Sequence, residues 1–215
     1  RNIFLDMGHT KTYTQFLKGV ISNIVGASEQ IDALFLSHIH DDHIGGASRF
    51  INDIQKDSAL GNVVIRWIYN APRKYDVEET DDKKAGVLCG IVSGDKVYEH
   101  ILSHRPTDLG DVLEGMSFNI DGMIVTILSP NESKLNLLRR KYSNNRPLCK
   151  SETDEVSIEA GNVKDDYATL LNEFKTDCFQ EDLSIENASS IAALFEFEDK
   201  RVLWLSDSVP SVIIH

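Results

Sequence analysis

Cysteine, proline and positive charge are all scarce in this 215-residue chain, and each scarcity removes a class of protein. Three cysteines, Cys89, Cys149 and Cys178, stand far apart and form no C-x-x-C pair, which excludes a cysteine zinc cage and a disulfide framework and fits a reducing compartment. Lys plus Arg number 22 against 34 for Asp plus Glu, a formal charge of -12, which argues against a surface that coats duplex DNA without regard to sequence. No apolar run approaches the roughly 20 residues that span a bilayer, and the N-terminus lacks a basic-then-apolar signal pattern, so the expectation is a soluble, cytoplasmic chain with no membrane segment. Five prolines and no low-complexity tract, with 41% apolar and 26% charged residues, predict one globular domain over 1–215. The chain starts at RNIFLDMG without methionine and stops at SVIIH, which predicts further sequence on one or both sides.

The apolar pattern predicts alternating strands and helices. Ile3–Asp6 reads as a strand, Tyr13–Val25 as a helix, Ile31–Leu36 as a buried strand and Ile44–Ile54 as a helix. Val63–Tyr69 is strand-like, and Ala85–Leu102 is helical in spacing although Gly86, Gly90 and Gly94 threaten its continuity. Ser117–Ile120 and Met123–Leu128 flank the turn pair Asp121-Gly122, and Ile191–Phe197 with Arg201–Leu205 makes a second hairpin. Between the hairpins, residues 131–187 show no strand pattern. Helical spacing at Leu135, Leu138 and Tyr142, and again at Tyr167, Leu170, Leu171 and Phe174, predicts a two-helix insertion able to dock a protein partner.

The chemistry concentrates in residues 36–46, LSHIHDDHIGG, where a buried strand runs into a helix. His38 and His40 are two apart on an extended strand end and face one way, which suits them to share an ion. Asp42 and His43, adjacent past the turn, suit a second ion, and two ions about 3.5–4 Å apart clamp the attacking and leaving oxygens of a hydrolytic displacement.

The motif His38-x-His40-x-Asp42-His43, followed by Ile44-Gly45-Gly46 and preceded by the Asp6-Met7-Gly8 strand end, resembles the metallo-β-lactamase superfamily. That resemblance implies an α/β (α+β) fold, a four-layer αββα sandwich with metals at the strand ends of one edge, here truncated at its C-terminal end and carrying the 131–187 insertion. It further implies a ligand bridging both ions at the end of a later strand, where VLWLSD supplies Asp207. The stretch Asn187-Ala-Ser-Ser190 before that strand, and residues 115–130, are similar to the hydrolase domain of bacterial competence DNA-uptake proteins of the ComEC type. Superfamily members often supply a third histidine to the first ion, for which His104 is the candidate; the competing reading of His104, a helix-end histidine favoured by the macrodipole, is the stronger. The branch also expects a histidine beyond the bridging aspartate. Only His215 follows Asp207, and a chain-terminal residue is a poor preorganised ligand.

The expected function is a metal-dependent hydrolase that attacks a phosphodiester through a hydroxide held by one or two divalent ions, zinc first and manganese as the alternative. His38, His40, Asp42, His43 and Asp207 carry it, with Asp42 and His43 as the catalytic pair. Two alternatives share the sequence: a carbonyl hydrolase for esters, lactones or thioesters on the same ions, and a metal-poor binding or regulatory module. Asp6 is expected to support the motif loop through hydrogen bonds, and His9 to be a solvated loop residue. The basic run Lys134–Arg146, with Tyr142, is either a contact for a nucleic-acid backbone or the solvated face of a helix.

Overall fold

The computed structural model describes residues 1–72, 89–142, 181–182 and 184–213. Strand β1 (Ile3–Leu5) leads into a helical stretch made of α1 (Thr10–Thr12), a π-helical turn (Tyr13–Leu17) and α2 (Lys18–Gly26). Then come β2 (Ala33–Leu36), α3 (Asp41–Lys56), β3 (Trp67–Tyr69) and α4 (Cys89–His104). The second half holds β4 (Ser117–Ile120), β5 (Met123–Ser129), α5 (Glu132–Tyr142), α6 (Ile185–Ala188), β6 (Ala192–Phe197), β7 (Lys200–Trp204) and α7 (Pro210–Ile213). The predicted helix around Tyr167–Phe174, Arg146 and His215 fall outside the described residues.

Two sheets form. Strands β1, β2 and β3 are parallel and neighbours in that order, and β4 to β7 make an antiparallel sheet in sequence order. Period-2 alternation on the central parallel strand decides the layering. Ala33 and Phe35 face the antiparallel sheet and meet Val125, Ala193 and Phe195, with the Phe35 and Phe195 rings edge-on at 5.3 Å. Leu34 and Leu36 face the other way, into a core shared with Ile44, Phe50, Ile51 and Ile101 of α3 and α4. All four β2 residues are buried, which is why this strand reads as an unbroken apolar run. The result is the α/β sandwich expected from the sequence.

The hairpin turn at Asp121-Gly122 places both residues at positive φ, 48° and 87°, the geometry whose twist matches paired strands. Helix α5 buries Leu135, Leu138 and Tyr142, the three residues whose spacing predicts it.

Helix α4 bears out the helical spacing and runs without a break through Gly90 and Gly94, while Ala85 and Gly86 lie outside the described residues. These glycines cost helix propensity because the packing needs the space. A Cβ on Gly90 would lie 1.8 Å from the Ile39 carbonyl oxygen, and one on Gly94 2.6 Å from the Tyr69 hydroxyl. On α3, a Cβ on Gly46 would likewise lie 2.2 Å from the Met7 carbonyl oxygen.

The basic run on α5 is largely committed to carboxylates. Arg139 makes a two-pronged pair with Asp111, both contacts 2.8 Å, and Lys141 reaches Glu186 at 2.6 Å. Glu186 is buried and also accepts a hydrogen bond from the Tyr142 hydroxyl. Burial alone would raise its pKa; the Lys141 and Tyr142 hydrogen bonds outweigh that and bring it down to about 2 from 4.5. Between those values the unfolded chain binds the proton that the folded chain refuses, so stability falls as pH drops from about 4.5 to about 2. Denaturant titrations across this window should show a loss on the order of 3 kcal/mol, and Glu186→Gln should remove that loss. An acid limb unchanged in the variant would place the sensitivity elsewhere.

Candidate metal centre

Three separate segments converge here: the exit of β1, the β2–α3 connection and the residues after β7. Helix α3 begins at Asp41, three residues before the expected start, because the His40 carbonyl accepts from the His43 and Ile44 N–H groups at 3.0 and 3.1 Å. Asp41 and Asp42 therefore sit in the first helical turn, where carboxylates complement the macrodipole. His38 and His40 remain on extended chain and do meet, with His38 Nε2 3.0 Å from His40 Nδ1. The His43 ring lies 4.2 Å from the His38 ring, centroid to centroid.

Asp207 closes the group. Its Oδ2 is 3.4 Å from His43 Nε2 and 3.9 Å from His38 Nε2, and Asp42 Oδ2 is 3.7 Å from His43 Nε2. Ligand atoms of His38, His40 and Asp207 all lie within 4.8 Å of one another. Two donors on one tetrahedral ion at about 2.0–2.1 Å are themselves roughly 3.3–3.4 Å apart, so these spacings suit a shared divalent cation.

The supporting hydrogen bonds fix which nitrogen of the His43 and His38 rings is available. Asp6 Oδ2 accepts from His43 Nδ1 at 2.8 Å, so the lone pair of neutral His43 is on Nε2, the atom facing Asp207. The Ser37 hydroxyl donates to Asp6 at 2.8 Å, leaving its oxygen to accept from His38 Nδ1 at 3.0 Å, with Ser190 Oγ 3.5 Å from the same nitrogen. His38 Nε2 is then also a lone-pair donor. Burial, and next the neighbouring His43 and His40, push the His38 pKa down to about 3, so the ring stays neutral. Burial would lower His43 as well, but Asp6, then Asp207 and Asp42, raise it above its usual value. The donor set, two oriented imidazoles and a third beside two carboxylates, fits a divalent ion.

Asp6 has the hydrogen-bonding role expected of it. Its other oxygen accepts the Ser37 N–H at 2.7 Å, and its backbone holds a positive φ of 59°. Ser206, just before Asp207, also has positive φ, 49°, and its hydroxyl lies 3.4 Å from Asp6 Oδ2. Left-handed backbone at non-glycine residues is held there by the surrounding bonds. Asn tolerates that conformation as Asp does, so Asp6→Asn isolates the carboxylate. We expect it to weaken metal binding by about 10–100-fold in calorimetric titration, without loss of fold.

His104 is not brought to this centre. It lies at the C-terminal end of α4, stacked on His100 at 4.6 Å, and shares a cleft with Lys56 at the far end of α3. The motif occupies the opposite end of that 16-residue helix, roughly 24 Å long at 1.5 Å per residue. Among the described residues, His43 is the histidine that joins His38 and His40 at this centre. His9 is the exposed loop residue expected, its side chain 61% exposed and its Nδ1 3.2 Å from Asp41 Oδ2. Sequence reasoning missed Ser37; its position directly before the motif, at the strand end, was the available signal.

An α/β sandwich with oriented histidines and an aspartate at the strand ends defines a metal-binding domain of hydrolase type. The model of the metallo-beta-lactamase superfamily matches residues 1–118, and the chain belongs to that superfamily. No curated protein matches the chain. Ser190 and Asp207 lie beyond the matched residues, so their membership of the centre rests on the distances above.

Proposed function

We propose that the chain is a metal-dependent phosphodiesterase, nuclease-like in chemistry and related to the ComEC-type hydrolase branch. The observation that carries the reading is the asymmetry of the centre: the His38 side chain is fully buried, while Asp207 and Asp42 are 41% and 55% exposed. A rigid imidazole floor beneath an open carboxylate rim suits a long, charged substrate better than an enclosed apolar pocket would. The likeness of residues 115–130 and 187–190 to the competence-protein domain supports the same substrate class.

In this reading His38, His40 and Asp207 hold a first ion, and Asp42, His43 and Asp207 a second. Zinc suits the imidazoles and manganese the carboxylate-rich half. A divalent ion bound there supplies Lewis acidity toward a phosphoryl oxygen and lowers the pKa of water. The chain's own contribution is orientation: Asp6 fixes the His43 ring, Ser37 and Ser190 fix His38, and Asp42 presents its carboxylate at the rim. The insertion at 131–187 is proposed as part of the same single domain and as the surface for a protein partner. The described residues contain no helix long and apolar enough to cross a membrane; a cytoplasmic setting is part of the proposal.

The test is an assay of the full-length protein with Mn2+ or Zn2+ on single-stranded and duplex DNA, RNA and a generic phosphodiester. An Asp42→Ala, His43→Ala variant runs alongside. Metal-dependent cleavage that the variant loses is the expected result. Equal residual activity in the variant would sink the proposal.

A further inference from the structure

The surface at the far end of α3 and α4 holds a second cluster of nitrogen donors that the hydrolytic site does not use. His100 and His104 are four residues apart on α4, so their side chains share one face of the helix. Their rings stack at 4.6 Å with an interplanar angle of 25°. Both line a cleft of about 560 Å³ together with Ile54, Gln55, Lys56, Ser58 and Gly61.

Three features separate this pair from ordinary helix-surface histidines. His104 Nδ1 donates to the His100 carbonyl oxygen at 3.0 Å, which leaves the lone pair of the neutral ring on Nε2. His100 is 94% buried, and its Nδ1 has no hydrogen-bond partner among the described residues. Trp67 meets the His100 ring edge-on at 5.3 Å and restricts its orientation. Burial, and then His104, hold the His100 pKa down at about 4, so the ring presents a donor rather than a charge at neutral pH.

We propose that His100 and His104 form a second, independent site for a transition-metal ion of the Cu2+, Ni2+ or Zn2+ type. Two histidines at i and i+4 on one helix face are a bidentate chelate for such ions. Imidazole nitrogens select that part of the first transition series over Mg2+ or Ca2+. An anion is the competing occupant, since Lys56 lines the same cleft. Both helices end here, α3 at Lys56 and α4 at His104, and helix C-termini carry partial negative charge, which favours a cation. Gln55 and Ser58 offer neutral oxygen atoms to complete the coordination with water.

The site is tested apart from the hydrolytic centre. Full-length protein carrying His40→Ala and His43→Ala, which disable that centre, is titrated with Cu2+ and followed by calorimetry and by electron paramagnetic resonance. One bound Cu2+ with hyperfine coupling from two imidazole nitrogens is expected, and adding His104→Ala should weaken binding by at least about tenfold. His104 is exposed, so that variant keeps its fold, which circular dichroism verifies. The proposal is overturned if Cu2+ does not bind the His40→Ala, His43→Ala protein, if His104→Ala leaves the affinity unchanged, or if inorganic phosphate competes with the metal for the cleft.

Discussion

Asp207→Ala should abolish metal-dependent stabilisation while leaving the metal-free fold as stable as before. The side chain is 41% exposed, and the ion pairs the structure gives it are with His38 and His43, so truncation removes no core packing and the metal-free change should stay within about 0.5 kcal/mol. The loaded state behaves differently. At an ion concentration of 100 times Kd, binding to the native protein alone stabilises it by about 2.7 kcal/mol. A ligand that faces both His38 and His43 is worth more than the 10–100-fold in affinity typical of a supporting residue, so nearly all of that stabilisation should vanish. Thermal melts of native and variant protein, with and without Zn2+, measure both halves of the expectation. A full metal-induced rise in the variant would remove Asp207 from the ligand set.

Gly90→Ala should be the most damaging small substitution on α4, although alanine is the better helix former. Propensity favours the change by about 1 kcal/mol, but the new Cβ would meet the Ile39 carbonyl oxygen at 1.8 Å, with the Asp41 nitrogen 3.5 Å away. Backbone atoms cannot rotate aside as a flexible side chain would. The helix must then withdraw from the loop between His38 and His40, and overpacking of this kind costs about 3 kcal/mol. Denaturant midpoints give the stability change, and zinc titration shows whether the displaced loop also loses its hold on the ion. A midpoint that rises, as propensity alone dictates, would mean that α4 does not press on that loop.

The contrast between these residues shows which parts were readable in the chain. His38, His40, Asp42 and His43 are close in sequence, and a strand running into a helix leaves them few ways to point. Their clustering follows from local geometry. Asp207 required the family pattern, because 164 residues separate it from His43 and spacing alone carries no information at that range. His104 shows the opposite limit. It lies between the motif and Asp207 in the chain, yet that interval does not say which end of α4 it occupies. Gly90 and Gly94 read as weak points in a helix because propensity is local, whereas their use, contact with Ile39 and Tyr69, is tertiary. Likewise the basic run on α5 looks available in sequence, while Arg139 and Lys141 are engaged with Asp111 and Glu186. A carboxylate partner distant in the chain is invisible to a charge pattern.

The division of the centre between the two sheets bears on the order of folding. His38, His40 and His43 belong to the parallel half and Asp207 to the end of the antiparallel half, with Phe35 against Phe195 and Trp204 between them. Tight ion capture must therefore follow the docking of the β6–β7 hairpin onto β2. Zinc added during refolding should act only once the two halves have docked, as a latch that engages after they have met.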